Sequence, residues 1–453
     1  MCLALGSSLE QTECLRWNLY CEFTPSSGSC PNPSRYPGEP LLCTAPIKYQ
    51  YANYSANYLH GGKGAIRFQL INQRSDFSFA LFTGGLENPS LVAVSKQVAF
   101  KNPKAPVFPR LAQGKTHDEM AVTWTSGYDI GEAYPFVEWG VVASGGRGGN
   151  PTGPPAGTLT FSRGSMYFYK IGHELSDGTV MWGKPYTFRA PPTPGQNSLQ
   201  RIIIFGDMGK AERDGSNEFA NYQPGSLNTT DKLVEDLDNY DIVFHIGDMP
   251  YANGYLSQWD QFTAQVAPIS AKKPYMVARY KVDYGMFRFC VADSEHDWRE
   301  GTPQYKFIEE CLSTVDRKHQ LWLIFAAHRV LGYSSNSWYA DQGSFKEPEG
   351  RESLQKLWQR YRVDIAFFGH VHNYERGGGS HLSGYTSAIP KWSVFRDKDY
   401  GFTKLTAFNH SSLLFEYKKS SDGKVYDSFT ILRDYRGMLS CVHDSCFPTT
   451  LAT

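Results

Sequence analysis

The sequence carries no net charge and no long apolar run. Its 453 residues include 45 basic and 45 acidic side chains, and the sequence pI is about 7.2. Binding to nucleic acid or to an anionic membrane surface depends on clustered Lys and Arg, which this balance does not favour. The longest apolar stretches, such as 321–327, are far shorter than the ~20 residues that span a bilayer. We therefore expect a soluble protein with no nucleic-acid partner and no membrane partner.

The nine cysteines show no CxxC spacing and have no paired histidines nearby. Zinc is therefore less expected at these cysteines than disulfides or free thiols, although the sequence does not fix any pairing. Five of the nine lie within the first 43 residues, and the other four are Cys290, Cys311, Cys441 and Cys446.

A convincing signal peptide is also missing. The start, MCLALGSSLEQTEC, has no basic segment and only a very short apolar stretch. Three triplets nevertheless match the acceptor pattern for N-glycosylation, and they begin at Asn53, Asn228 and Asn409. Together with the cysteines, these triplets favour a secreted, extracellular glycoprotein. A truncated or differently begun N-terminus would reconcile that location with the missing signal peptide.

Aromatic residues, 42 glycines and 26 prolines are abundant, which favours turn-rich β structure over helical bundles. Residues 1–43 are rich in Cys and Pro, lack periodicity and are predicted to be irregular. Residues 44–105 are predicted to form a β-sandwich module, with strands over 65–71 and 77–82 separated by turns.

A second β module and an α/β region are predicted to follow. The Pro-rich stretch 102–109 has the composition of a linker, and residues 106–191 show the alternation of a second sandwich. Buried-type strands and helices then alternate over 199–418, which predicts an α/β sheet covered on both faces. Residues 419–453 are predicted to add C-terminal strands and a tail.

Ionisable side chains follow several of these buried strands. A Gly-Asp pair after one strand is commonly only a turn, and one strand-end His is usually a satisfied polar residue. Six such side chains at the same edge of one sheet are harder to explain in that way, because ligands bind there in α/β folds. The six are Asp207, Asp248, Tyr251, His328, His370 and His372.

The types of these side chains fit a site for two metal ions. A carboxylate can bridge two cations, imidazole suits Zn, Fe and Mn, and a phenolate selects Fe(III). His370 and His372 are two residues apart, so an extended segment would point both rings to one side. Two neighbouring metals can clamp a phosphate and lower the pKa of a bound water, which is the usual apparatus for hydrolysing phosphate esters.

Four segments resemble the purple acid phosphatases of the calcineurin-like metallophosphoesterases. They are FGDMGKAERDGSNE, HIGDMPYANGYLSQWDQF, SEHDWREGTPQYKFIE and GHVHNYER. The long plant members with extra N-terminal β domains are the most similar, and the resemblance covers about 44–449. It implies an α/β metallophosphoesterase domain, built as a β-sandwich flanked by helices, after all-β sandwich domains. The resemblance assigns 106–191 to the family's fibronectin III-like N-terminal domain.

The resemblance also implies residue roles, a substrate class and cofactors. A ferric ion would lie beside a divalent ion, which would be Zn, Mn or Fe. The ferric ligands would be Asp207, Tyr251 and His372, the divalent ligands would be His328 and His370, and Asp248 would bridge. The implied activity is hydrolysis of phosphate monoesters, and the family makes a homodimer a possible assembly.

One motif of the family is absent. Family members carry Gly-Asn-His-Glu or Gly-Asn-His-Asp between the second Asp and the strand-end His; its Asn completes the divalent site and its His contacts phosphate. Here the preceding strand runs through Ala278 directly into Arg279. His296, in Glu-His-Asp, is only a weak substitute. Two further junctions, at Ser165 and Glu375, look shortened, which suggests skipped exons or an imperfect gene model.

Three functions remain open at this point. The first is a phosphomonoesterase that is impaired or inactive without the missing segment. The second is a non-catalytic glycoprotein of the same descent that binds a metal, a phosphate or another ligand. The third keeps the metallophosphoesterase fold with diesterase or nuclease activity, which the neutral charge and Tyr251 disfavour.

Overall fold

The computed structural model describes most of the chain in ten stretches. These are residues 2–7, 47–85, 90–142, 158–160, 164–218, 223–252, 255–277, 280–329, 351–376 and 393–434. The junction between Ala278 and Arg279, the sequence after Glu375-Arg376, six of the nine cysteines and the predicted tail beyond 434 lie outside them.

Twenty-three strands and five α-helices lie in the described part of the chain. The first ten strands are β1 (Cys2–Ser7), β2 (Lys48–Tyr51), β3 (Phe77–Thr83), β4 (Ser90–Val94), β5 (Val107–Gln113), β6 (Glu119–Thr125), β7 (Ala133–Val141), β8 (Thr158–Thr160), β9 (Met166–Leu175) and β10 (Val180–Arg189). The others are β11 (Gln200–Phe205), β12 (Asn217–Glu218), β13 (Ile242–His245), β14 (Tyr275–Met276), β15 (Tyr280–Tyr284), β16 (Phe287–Val291), β17 (Trp322–Ala326), β18 (Ile365–Phe367), β19 (Tyr374–Arg376), β20 (Phe395–Asp397), β21 (Gly401–Asn409), β22 (Ser412–Lys419) and β23 (Val425–Leu432). The helices are α1 (Ala56–Gly61), α2 (Gly225–Glu235), α3 (Leu256–Ser270), α4 (Pro303–Ser313) and α5 (Arg351–Tyr361).

The first module is one five-stranded sheet in the order β12-β2-β1-β3-β4. The prediction of irregular structure over 1–43 is therefore wrong for Cys2–Ser7, which forms β1. The strand predicted over 65–71 is also absent. At Gln69 the backbone N–H donates to the carboxylate of Asp214, and the carbonyl accepts from the ammonium of Lys48, so side chains replace a neighbouring strand there.

The second module consists of two three-stranded sheets, β5-β6-β8 and β10-β9-β7. Alternate residues of β6 are buried, as the period of a strand requires, and Met120 and Val122 pack in the core with Tyr167 and Phe188. The predicted linker 102–109 is wrong at its end, because β5 already begins within it. Pro109 is tolerated there since β5 is an edge strand with an irregular register at that point.

The α/β region packs two sheets face to face. A six-stranded sheet, β14-β13-β11-β21-β22-β23, shares one core with a four-stranded sheet, β15-β16-β17-β18. Along β11, Ile202 and Ile204 face the other sheet, whereas Ile203 packs against α2 and α3. Helices α4 and α5 cover the outer face of the four-stranded sheet in the same way. The predicted fold class, a β-sandwich flanked by helices after all-β modules, is confirmed.

A disulfide joins Cys290 on β16 to Cys311 on α4. Both residues are almost fully buried in the core between the four-stranded sheet and its helices. The two cysteines are 21 residues apart in the sequence, and the bond between them stabilises the fold mainly by restricting the unfolded chain. The expectation of disulfides among the cysteines is thus met at this pair.

A buried carboxylate ties the end of β23 to the four-stranded sheet. Asp364 accepts the backbone N–H of Leu323 at 2.7 Å and pairs with Arg433 at 2.5 Å and Arg317 at 3.5 Å. We expect Asp364→Ala to lower the free energy of unfolding by about 3–5 kcal/mol, because it leaves guanidinium charge buried without its partner. Urea denaturation measures this change.

The matched control is Asp297→Ala. The Asp297 side chain is 37% exposed and pairs with Arg299. Surface pairs of this kind contribute roughly 0–1 kcal/mol. Equal destabilisation by the two variants would contradict the assigned role of Asp364.

Candidate metal centre

The six predicted ligands lie beyond the carboxyl ends of four strands. Asp207 follows β11, and Asp248 and Tyr251 follow β13, which pairs with β11 in parallel. His328 follows β17, and His370 and His372 follow β18, which is parallel to β17 in the other sheet. The prediction of a single sheet edge is therefore wrong, since the ligands come from two sheets that meet at the same end of the sandwich.

Five of the six side chains form two groups whose ligand atoms lie within 4.8 Å of one another. One group contains Asp248, His328 and His370, and the other contains Asp207, Asp248 and His372. His328 Nε2 lies 3.3 Å from Asp248 Oδ2, and His372 Nε2 lies 3.8 Å from Asp207 Oδ1. Asp248 belongs to both groups, as a bridging ligand must.

Tyr251 adjoins the second group. Its hydroxyl lies 3.2 Å from His372 Nε2, and the two rings are 6.2 Å apart between centroids. The phenol of Tyr251, one imidazole and the carboxylate of Asp207 thus lie on one side of Asp248, whereas two imidazoles lie on the other.

The backbone at these residues is unusual. Eight non-glycine residues in the described part of the chain have positive φ, and five of them are predicted ligands: Asp207 (57°), Asp248 (47°), Tyr251 (52°), His370 (73°) and His372 (27°). Such conformations cost roughly 1–3 kcal/mol each and cluster at functional sites. The segment from His370 to His372 is consequently not extended, so the condition under which both rings would point to one side is not met. The two rings instead enter different groups, which share Asp248.

Hydrogen bonds and glycines hold these conformations. The N–H of Asp207 donates to Gly247 at 3.0 Å, and the N–H of His370 donates to the Asp207 carboxylate at 3.0 Å. A Cβ at Gly247 would come within 2.5 Å of His328 Nδ1, and a Cβ at Gly369 would collide with the Asp207 carboxylate. The two glycines therefore allow the ligand loops to approach one another.

Burial favours the uncharged forms of Asp207, His372 and Tyr251. It raises the pKa of Asp207 to about 7, lowers the pKa of His372 to about 2 and raises the pKa of Tyr251 well above its usual range. Neutral imidazole is the form that binds metal, and a cation would compensate the ionised carboxylate and phenolate. Oxygen and nitrogen donors of these types, with one carboxylate common to both groups, fit a pair of metal ions.

His296, the weak substitute, belongs to neither group. Its side chain is 68% exposed, and its Nδ1 lies 2.9 Å from the carboxylate of Asp293. Sequence reasoning missed a different charge near the site. Arg329 directly follows His328 and pairs with Glu295 at 2.7 Å. Burial lowers the pKa of His370, and the charges of His328 and then of Arg329 lower it further. The position of Arg329 next to a strand-end His was the available signal.

The three predicted glycosylation sites are accessible. Asn53, Asn228 and Asn409 are exposed, the second on α2 and the third at the end of β21. Accessibility is required for modification, and glycosylation itself stays a prediction.

His245, at the end of β13, provides a pH-dependent prediction. It is 1% exposed, and its Nδ1 lies 2.8 Å from the hydroxyl of Tyr275. Burial, followed by the charge of His328, lowers the pKa of His245 from 6.5 to about 3. The unfolded state therefore binds a proton below pH 6.5 that the folded state does not. This contribution to stability is complete above pH 6.5 and is lost as the pH falls towards 3.

We expect His245→Gln to flatten the fall in unfolding free energy between pH 6.5 and 4 by about 1.4 kcal/mol per pH unit. Urea denaturation of metal-free protein at several pH values measures the slope. Parallel profiles for the variant and the parent protein would refute this assignment.

Comparison with known protein families places three parts of the chain. Residues 18–102 match the Fn3-like domain from Purple Acid Phosphatase, 279–374 match the Calcineurin-like phosphoesterase, and 375–428 match the Iron/zinc purple acid phosphatase-like protein C. The first match overlaps most of the predicted module 44–105 and begins within the segment predicted to be irregular. The second begins at 279, directly after the junction that lacks the Asn-His motif.

Curated plant proteins are similar over most of their length. Probable inactive purple acid phosphatase 27 of Arabidopsis thaliana is 54% identical over 535 residues, which cover 95% of this chain and 87% of the relative. A nucleotide pyrophosphatase/phosphodiesterase of Hordeum vulgare is 73% identical over 350 residues, which cover 61% of this chain and 95% of the relative. The first alignment is longer than the 453-residue chain, so the relative has stretches that this chain lacks.

The solved structure of purple acid phosphatase PPD1 from yellow lupin seeds superposes on this chain with a TM-score of 0.85. The two sequences are 48% identical, and the match covers 100% of this chain and 94% of the lupin chain. Fold, ligand groups and matches together define a calcineurin-like metallophosphoesterase with an N-terminal fibronectin-like module. Within that class, the chain belongs to the purple acid phosphatase family. Members of this family are metal-dependent phosphoesterases that act on phosphate esters. No helix among the described residues is long and apolar enough to cross a membrane.

Proposed function

We propose that the chain is a purple acid phosphatase-type hydrolase of phosphate monoesters whose catalytic capacity is impaired. The observation that carries this proposal is the sharing of Asp248 by two ligand groups. One carboxylate common to two groups is what a binuclear centre requires. The absence of a Gly-Asn-His segment after β14 removes an amide ligand and a phosphate contact from such a centre.

The two groups differ in completeness. Asp207, Asp248, Tyr251 and His372 would hold Fe(III) with two carboxylates, a phenolate and an imidazole. The other group, with His328 and His370, would hold Zn, Mn or Fe with only one carboxylate. A bound metal pair would supply charge neutralisation and an acidified water for attack on phosphorus. The protein's own contribution is to hold these donors in place, and the second position is the weaker one.

The alternative is a non-catalytic glycoprotein that binds one ferric ion, a phosphate or another ligand through the same residues. The Arabidopsis relatives at 51–54% identity carry the words "probable inactive" in their names, which supports impairment. The barley relative is named for pyrophosphatase and phosphodiesterase activity, which makes diesters a second substrate class to test.

Metal content and hydrolysis test the proposal together. Purified protein, reconstituted with iron and then with zinc or manganese, should retain about one iron per chain and lose the second metal on dialysis. Hydrolysis of 4-nitrophenyl phosphate and of its bis-ester at acid pH should be weak. Two firmly held metals with rapid turnover would overturn the impairment, and no metal at all would overturn the proposed centre.

An extracellular location and glycosylation belong to the same proposal. The disulfide between Cys290 and Cys311 and the exposure of Asn53, Asn228 and Asn409 support an oxidising secretory route. A homodimer is proposed from the family alone. Mass measurement of the protein from a plant host, before and after glycosidase treatment, tests both glycosylation and assembly.

A further inference from the structure

The segment after Asp207 ends inside the N-terminal module. Strand β12 pairs antiparallel with β2, with Asn217 opposite Tyr49 and Glu218 opposite Lys48. It forms the edge of the five-stranded sheet of that module. A chain segment that begins at a candidate ligand is therefore fixed at its other end by a separate domain.

A buried ion cluster reinforces this attachment. The ammonium of Lys48 lies 2.9 Å from Glu212 Oε2 and 2.8 Å from Asp214 Oδ2, and the Lys48 side chain is only 3% exposed. The Asp214 carboxylate also accepts the N–H of Gln69 at 2.6 Å and that of Ser216 at 3.0 Å. These contacts fix the turn around Asp214 in the segment 209–218, and the side chains of Lys48 and Asp214 are largely shielded from water there.

The segment is fixed at its near end as well. The N–H of Gly209 donates to the carbonyl of Met249 at 2.8 Å, next to Asp248, and the N–H of Ala211 donates to Gln265 on α3 at 3.0 Å. If the contacts with Lys48 were lost and the segment moved, the movement would therefore reach the loops that carry Asp207 and Asp248.

A second ion pair connects the module to α3, the helix that follows Tyr251. Arg74 has a positive φ of 65° and donates to both carboxylate oxygens of Asp260, at 2.9 and 2.6 Å. Bidentate pairs of this kind fix orientation as well as distance. The module thus contacts the segment that follows Asp207 and the helix that follows Tyr251, which are two of the three segments that carry side chains proposed for the ferric side.

We propose that the N-terminal β module is a positioning domain for the metal centre, with Lys48 as the positioning residue for the Asp207 loop. The inference rests on the proposed function, because it assumes that Asp207 binds metal. The N-terminal module would thereby help the centre to retain its metal. Lys48 acts through the segment 209–218 and touches neither metal nor substrate.

The test compares Lys48→Met with Arg213→Gln in the full chain. Arg213 lies on the same segment but pairs with Asp231 on α2 in an exposed ion pair, so it is the matched control. In Lys48→Met we expect amide hydrogen exchange at Gly209 and Ala211 to become about 10-fold faster, with β11 unchanged. Iron should bind about 10-fold more weakly. The visible absorption band of Fe(III) bound by the Tyr251 phenolate should shift. Lys48→Arg should restore both properties.

Other outcomes are decisive in the opposite direction. Faster exchange confined to Asn217 and Glu218, with unchanged iron affinity, would overturn the positioning role. If the parent protein binds no iron, the proposed function fails, but exchange at Gly209 still decides whether Lys48 controls the loop. If Lys48→Met does not fold, the same measurements are made on the variant with Lys48→Met, Glu212→Gln and Asp214→Asn, which also removes both carboxylates that pair with Lys48.

Discussion

Asp248→Asn should remove both metals from the protein at once. Asp248 is the one residue common to the two ligand groups, and its carboxylate lies 3.3 Å from His328 Nε2. An amide cannot supply the negative charge that a carboxylate shared by two cations provides. We expect the affinity of both metals to fall by more than about 100-fold, which exceeds the loss for a residue that only orients a ligand. Metal analysis after dialysis measures the change.

Single-group variants and a remote carboxylate control this result. His370→Ala should weaken only the metal held with His328, whereas His372→Ala should weaken only the iron held with Asp207. Asp293→Asn changes a carboxylate after β16 that bonds the exposed His296 and belongs to neither group. It should leave metal content unchanged. Retention of one full metal equivalent in Asp248→Asn would show that Asp248 does not bridge.

The proximity of the candidate ligands could be predicted from the sequence because each of them follows a buried strand. Apolar runs such as Ile202–Ile204 predict buried strands, and the structure brings the side chains that follow these strands together at one end of the sandwich. The arrangement in two sheets was not readable. Parallel pairing of β11 with β13 and of β17 with β18 is set by packing between distant segments. No local pattern states which sheet a strand joins.

The positive φ angles were likewise hidden. Positive φ is uncommon for any non-glycine residue, although Asp and His adopt it more often than most, so the residue types at 207 and 372 do not predict it. At Asp207 a tertiary hydrogen bond from its N–H to the carbonyl of Gly247 helps to hold the conformation. Helix α3, by contrast, has a signal in the sequence, but a weak one. Phe262, Val266 and Ile269 recur at helical spacing and are all buried, but polar residues between them obscure the pattern.

Side chains also replaced expected backbone pairing. The stretch 65–71 alternates like a strand, yet at Gln69 it bonds to Lys48 and Asp214 instead of a neighbouring strand. Those two charges are 166 residues apart in sequence, so periodicity within 65–71 carries no trace of them. The link between the N-terminal module and the Asp207 segment was therefore visible only in the structure.

Inserting the family's Gly-Asn-His-Glu segment, with its flanking residues, between Ala278 and Arg279 should produce the largest gain in activity. Strand β14 lies beside β13 and parallel to it, with Tyr275 opposite Val243 and Met276 opposite Phe244. Its carboxyl end therefore faces the same edge as Asp248, and a segment that leaves β14 starts next to the centre.

We expect the insertion to raise hydrolysis of 4-nitrophenyl phosphate by at least about 100-fold. The Asn would complete the divalent group, and one donor placed on developing charge is worth about 10²–10³ in rate. The control is an insertion of the same length with alanine in place of its Asn and His, which restores chain length without the donors. Equal rates for the two insertions would mean that the shortened junction limits folding, whereas a gain with the Asn-His form alone would locate the impairment in the missing ligands.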